Sequence, residues 1–319
     1  MIVFDLLKKF KFKSLICNCG FSKASGYKVS EIVVLMLVLP LMLLKSVHSL
    51  YKSEYAKAAE MKRDTIYRLK NNENMPWRRL LYSVAKRFQQ LVNPQKYVDP
   101  NSAFIIDDTP DMRVGYNIEN ISIIHNHVLG KKGSVPGFKN LMLGYYDGKN
   151  IIPIDFSIRK EKALPKSKKK SQFKKDYNKN SNGAKRRKES NLDKITNSLN
   201  MIKRAVKNGF KAKYILNDSW FTSRKYIKTI RSIKDGGMHL IAGIKRDKRR
   251  YNYDGLDLNG KELINNLKTQ GKEKRNRKWN VRYFEVTVNY DGIGELFLLI
   301  YICIVIMLLT LVLLTYIFN

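Results

Sequence analysis

Apolar positions recur along this chain in two rhythms, and the rhythm changes near residue 100. Trp77, Leu80, Leu81, Val84, Phe88 and Leu91 fall at i, i+3 and i+4 spacing. That period predicts an amphipathic helix with Arg78, Arg79, Lys86 and Arg87 available to solvent or phosphate. Ile32 to Leu44 is strongly apolar but short for a bilayer and interrupted by Pro40, so it predicts a buried core helix. Ser53 to Leu69 mixes Ala, Glu, Lys and Tyr at helical spacing, and Asn71 to Pro76 reads as the turn that follows. Residues 1–100 therefore read as a helical region, either a DNA-binding module or a packing cap.

Beyond residue 100 the pattern shortens. Phe104–Ile106, Ser122–Ile124, Lys139–Tyr145 and Ile151–Phe156 are brief apolar runs between turn residues, and they predict three or four strands. Asp147-Gly148 is a hairpin signal. Leu192–Val206 is helical by period and stopped by Gly209; a strand at Tyr214–Asn217 and a helix at about Ser223–Ile233 follow. His239–Ile244 and Val281–Val288 flank a polar, basic middle that reads as a β-rich insertion over about 238–290. The mixture predicts an α/β fold.

Charge narrows the function. The 319 residues hold 61 Lys+Arg against 27 Asp+Glu, a formal net charge of +34. Such an excess points to a polyanionic partner, DNA or RNA first and anionic membrane second. Residues 159–188 concentrate it, with fourteen Lys/Arg against two acids and few apolar residues. The block predicts a flexible arm whose Lys168, Lys169, Lys170, Lys174, Lys175, Arg186 and Arg187 clamp phosphates, against the plainer reading of a solvated linker. Cys17, Cys19 and Cys303 lack zinc-knuckle spacing and read as ordinary thiols of a reducing cytoplasm. No apolar core with a cleavage site marks a secretory signal at the N-terminus.

Two acids carry the chemistry. Asp107 ends the run Ala103-Phe104-Ile105-Ile106, and Asp218 ends Tyr214-Ile215-Leu216-Asn217. If those strands are neighbours, both carboxylates leave one sheet edge, where they can share divalent cations. Asp108 competes with Asp107, because alternate strand residues face opposite sides. His125-x-His127 lacks a third ligand at fitting spacing and reads as ordinary polar surface.

Ile105-Ile106-Asp107-Asp108-Thr109, the Gly-Phe-Lys-Asn-Leu run at 137–141, Asp147-Gly148, Pro153-Ile154-Asp155-Phe156-Ser157 and Asn217-Asp218-Ser219-Trp220-Phe221 stand in a familiar order. Over roughly residues 50–295 the chain resembles bacterial DDE transposases of the insertion-sequence-4 type. Tyr67-Arg68-Leu69 and Trp77-Arg78-Arg79 resemble that family's N-terminal helical region. The resemblance implies an RNase H-like mixed sheet with flanking helices over 101–295 and a two-metal site using Mg²⁺ or Mn²⁺. Asp107 and Asp218 would then be the catalytic and metal-binding carboxylates. Two such ions roughly 4 Å apart activate a nucleophile and stabilise a leaving oxygen, and Mg²⁺ favours carboxylate oxygens. The resemblance also implies double-stranded DNA partners (terminal inverted repeats and target), a homodimer on paired ends, and a cytoplasmic, nucleoid-associated location. Trp220 either stacks on a base or packs beneath Asp218.

The chain departs from that pattern at its end. The family's third carboxylate is a Glu on a helix beyond the insertion, preceded by Tyr and Arg and followed by Lys. Glu295 follows a glycine-rich turn without those neighbours, so the third acid stays unknown. Leu296 to Phe318 carries no charge. A frameshifted end over 296–319 is the simpler account. The competing account is a membrane anchor that would hold the protein at the inner membrane. Either way the sequence predicts impaired catalysis, with a non-catalytic end-binding inhibitor or a membrane-tethered basic protein as alternatives.

Overall fold

The computed structural model describes residues 2–56, 61–95, 97–126, 133–165, 178–233, 237–244, 248–278, 280–302 and 311–314. The chain forms two compact units from interleaved segments. The first holds Met1–Tyr97, Met112–Phe138 and Lys160–Asn191; the second holds Val98–Asp111, Lys139–Arg159 and Leu192–Asn319.

In the first unit, helices α1 (Ile2–Lys9), α2 (Phe12–Asn18), α3 (Val29–Leu41), α4 (Val47–Lys52), α5 (Arg63–Lys70) and α6 (Trp77–Val92) enclose a core that includes Phe12, Ile16, Ile32, Leu50, Ile66 and Leu80. Pro40 sits in the last turn of α3, which ends one residue later at Leu41 with Met42 as its C-cap. Strand β2 (Ser122–Asn126) pairs antiparallel with Gly133–Gly137.

Residues 159–188, expected from their charge to be a flexible arm, include a built element. Residues 182–189 form helix α7 (Asn182–Glu189), capped by the Ser181 hydroxyl accepting from the Ala184 N–H. The Gly183 N–H donates to the Glu73 carbonyl at 2.8 Å, and a Cβ on Gly183 would lie 3.1 Å from the Glu73 side chain. The small residues Gly183 and Ala184 permit that close approach, which a count of charges alone does not reveal.

The second unit is built on a mixed sheet in the order β4-β3-β1-β5-β6. These strands are β1 (Ala103–Met112), β3 (Gly133–Tyr146), β4 (Ile151–Arg159), β5 (Tyr214–Asn217) and β6 (His239–Ile244); β3 begins in the first unit. β1 runs parallel to β5 and β5 parallel to β6, while β3 and β4 form an antiparallel hairpin. The β3–β4 loop turns at Asp147, whose carboxylate accepts from the Lys149 and Asn150 N–H groups, and at Gly148 with φ +98°. Helix α8 (Lys194–Lys207) packs on β4 and helix α9 (Arg224–Ser232) on β6. Their N-caps, Asp193 and Ser223, fall where the apolar period begins. This is an RNase H-like α/β arrangement, as the resemblance implies.

His239–Ile244, expected within the insertion, is the fifth strand of this sheet. The added part starts after it, with β7 (Arg250–Tyr253), β8 (Leu256–Asn259), helix α10 (Gly260–Thr269), β9 (Lys274–Asn276) and β10 (Val281–Tyr290). α10 carries a capping box between Asn259 and Glu262.

The charge-free run opens inside a strand. β11 (Gly294–Ile302) pairs antiparallel with β10 from Tyr290↔Gly294 to Arg282↔Ile302, and Leu296, Leu298 and Ile300 are buried. Arg231 of α9 donates to the carbonyls of Ile293 and Glu295 at 2.6 and 2.7 Å, fixing the turn into β11. β12 (Leu311–Leu314) lies antiparallel to both β11 and β6. Among the described residues, no helix is long and apolar enough to cross a membrane.

Candidate active site

The register of β1 against β5 sets the geometry. Ala103 pairs with Tyr214, Phe104 with Ile215, Ile105 with Leu216 and Ile106 with Asn217. The residue after each member of that last pair is an aspartate: Asp107, within β1, and Asp218, just past the end of β5. Partners on parallel neighbours project to the same side, and such strands lie about 4.8 Å apart. Both aspartates are exposed. Each anchors one oxygen locally: Asp107 Oδ1 accepts from the Asp108 N–H at 2.8 Å, and Asp218 Oδ1 from the Trp220 N–H at 2.9 Å. Neither takes part in an ion pair among the described residues.

Asp108 is differently placed. Its Oδ1 lies 2.9 Å from Lys194 Nζ at the start of α8, with both side chains more than four-fifths buried. Asp108 thus turns toward the helix-covered face, and strand alternation sends Asp107 to the other. The Lys194 ammonium also lies 3.9 Å from the centre of the Phe221 ring. Phe221 is wholly buried against Tyr226, whereas Trp220 is 64% exposed. Burial pushes the Tyr226 phenol above its ordinary pKa.

The loop after Asp218 is held from β6. Thr222 Oγ1 donates to the Gly243 carbonyl at 2.8 Å. A Cβ on Gly243 would meet the Ser219 nitrogen at 3.3 Å, so glycine lets loop and strand approach. At the head of α8, burial raises the Asp193 carboxyl, but hydrogen bonds from Thr196 outweigh it and leave the pKa below the usual range.

The cations singled out from sequence divide. Arg79 is exposed on α6. Arg78 pairs with Glu189 at 2.5 Å, and Arg187 with Glu119 at 2.9 Å and Glu73 at 3.1 Å, within the first unit. Burial, then the like charges of Arg78 and Arg187, pushes Arg186 below the usual guanidinium range. Lys168, Lys169, Lys170, Lys174, Lys175 and His127 lie outside the described residues.

A cleft of about 1020 Å³ in the second unit has no counterpart among the sequence expectations; it is lined by Arg224, Lys248, Arg249, Arg250, Asn252 and Tyr290 among others. The Arg224 guanidinium sits 4.9 Å over the Tyr290 ring. The basic run at 248–250 is its visible signal in the sequence; the convergence of Arg224 and Tyr290 upon it is not visible there. Glu295 is exposed at the start of β11, opposite Asn289. Among the described residues, no three His, Cys, Asp or Glu side chains gather to hold a metal. Asp107 and Asp218 fit a divalent cation in chemistry: hard oxygen donors, one within β1 and one just past the end of β5, each engaged locally through one oxygen only.

Comparison with known families finds one that matches three-quarters of the chain: a family of DDE superfamily endonucleases, over residues 35–276. No curated protein matches.

Proposed function

The chain belongs to the DDE superfamily endonucleases, and from that premise we propose that it is a DNA transposase of the insertion-sequence-4 type. It would cut and join strands at the terminal repeats of its element. The observation that carries the reading is the parallel register of β1 and β5, whose last pair, Ile106 with Asn217, directly precedes Asp107 and Asp218. In this reading these two carboxylates hold Mg²⁺ or Mn²⁺. The bound metal supplies charge neutralisation for an in-line displacement at phosphorus. Asp108, paired to Lys194, stays out of the ligand set.

The chain's own residues do the rest. The cleft lined by Lys248 and Arg249, with Arg224 and Arg250 in exposed ion pairs to Asp291 and Asp257, supplies cations for backbone phosphates, and the exposed Trp220 offers a ring beside Asp218 on which a base can stack. Arg79, exposed on α6, is a further cation available to phosphate. Arg78 and Arg187 serve inner ion pairs instead.

A second reading has its own support: with no third ligating side chain gathered beside the two carboxylates among the described residues, the protein binds transposon ends and cleaves slowly, acting as an inhibitor. Losing one ligand of such a site lowers the rate by roughly 10²–10³-fold, the scale of removing one electrostatic stabiliser of a transition state. Single-turnover nicking of an end-bearing duplex in Mn²⁺ tests both readings. Residual nicking should vanish in Asp107→Asn and Asp218→Asn at any Mn²⁺ concentration and be recovered in Asp108→Asn at saturating Mn²⁺. Nicking indifferent to both Asp107 and Asp218 would overturn the transposase reading. Salt-sensitive duplex binding with no nicking would select the inhibitor.

A further inference from the structure

The pair of aspartates stands on two segments that share no ladder hydrogen bond past Ile106↔Asn217. Something beyond the ladder has to hold the segment after Asn217 against β1. Asp218 begins a tight turn in which the Phe221 N–H donates to the Asp218 carbonyl at 3.3 Å and the Trp220 N–H to its carboxylate. The turn is anchored by the wholly buried Phe221 ring. On β1, Asp107 is followed directly by Asp108.

Lys194 touches both. Its ammonium is 2.9 Å from Asp108 Oδ1 and 3.9 Å from the Phe221 ring centre, a charge-assisted hydrogen bond and a cation–π contact made by one group. The lysine is fixed from behind, because it is the first residue of α8 and Asp193 caps that helix by accepting from the Thr196 N–H at 2.8 Å. Losing a side chain that orients the ligands from behind commonly weakens metal affinity by roughly 10–100-fold.

We infer that Lys194 is a positioning residue that clasps Asp108 and Phe221 and thereby fixes the spacing of Asp107 and Asp218. It also holds Asp108 away from the metal, which makes Asp107 rather than its neighbour the ligand. The inference rests on the metal-site reading above and deepens it. Lysine suits this role because its long stem reaches from a helix start to two strands, and its compact charge satisfies one carboxylate and one ring face together.

The test is Mn²⁺ binding to the full chain, followed by the paramagnetic resonance signal of free Mn²⁺, with thermal unfolding measured in parallel. The parent should bind, and Asp107→Asn and Asp218→Asn should abolish binding. Lys194→Met should weaken binding roughly 10–100-fold, and Lys194→Arg should restore most of it. Adding Asp108→Asn to Lys194→Met should bring little further loss, since the two act through one contact. Phe221→Leu, which keeps the ion pair, should weaken binding several-fold and covers the case in which Lys194→Met fails to fold. Parent-like affinity in folded Lys194→Met, or in Phe221→Leu, overturns the clasp while leaving the metal site standing. Binding that persists in Asp107→Asn and Asp218→Asn overturns the metal site and the clasp together.

Discussion

Replacing Leu298 with alanine probes whether the start of the charge-free run belongs to the folded protein. Leu298 lies in β11 opposite Val286 of β10, and its side chain is wholly buried. Removing a buried leucine side chain forfeits its transfer free energy and leaves a cavity that the neighbours fill only in part. Together these destabilise by about 2–5 kcal/mol. In a folding unit of 150–250 residues, each kcal/mol lowers the midpoint by about 2–4 °C, so a drop of roughly 4–20 °C is expected. The adjacent Phe297 points to the other side of the strand and is half-buried, so Phe297→Ala should have the smaller effect. Differential scanning fluorimetry on both variants, with circular dichroism to confirm the native state, is sufficient. Equal and negligible shifts for the two would refute the placement of 294–302 in the sheet. They would return the whole of 296–319 to the status of an added tail.

Two further outcomes are expected. Arg187→Met should destabilise the chain by roughly 2–4 kcal/mol, because it leaves the part-buried Glu73 and Glu119 without their shared partner; a midpoint within about 1 °C of the parent would refute that. Acid should weaken the fold through Asp147 and Asp193, whose carboxyls are both held below their ordinary pKa. Their contribution is complete above the unfolded value of about 4 and is lost as pH falls through the lower folded values. Asp193→Asn, which keeps a capping oxygen, should therefore show a shallower fall in midpoint between about pH 5 and 2 than the parent, and parallel curves would exclude the carboxyl as a source.

Much of this architecture is legible in the sequence because burial leaves a local imprint. The spacing of Trp77, Leu80, Leu81 and Val84 locates α6, and the apolar runs before Asp107 and Asp218 locate β1 and β5. α10 is hidden by its charged neighbours, although Leu263, Ile264 and Leu267 keep a helical period behind the Asn259/Glu262 cap. The start of the charge-free run, residues 296–302, is ambiguous for a different reason. A run of Leu, Ile and Phe reads alike in a bilayer and in a strand covered on one face, and only its partner β10 decides. Cations are the least legible. Arg78 and Arg187 look like phosphate contacts until acids about 110 residues away in sequence come beside them. Lys194 gains its meaning from Asp108, 86 residues upstream.

The alignment of Ile106 with Asn217 has a consequence for how such chains diverge. The hundred-odd residues separating the two aspartates can lengthen or shorten in loops and surface elements without disturbing their juxtaposition, since adjacent rungs rather than contour length fix it. A single codon gained or lost between Ala103 and Asp107 would instead exchange Asp107 for Asp108 on the open side, and one between Tyr214 and Asp218 would move Asp218 out of step with Asp107. Spacing within those two five-residue stretches is thus more tightly constrained than the length of the loops between them.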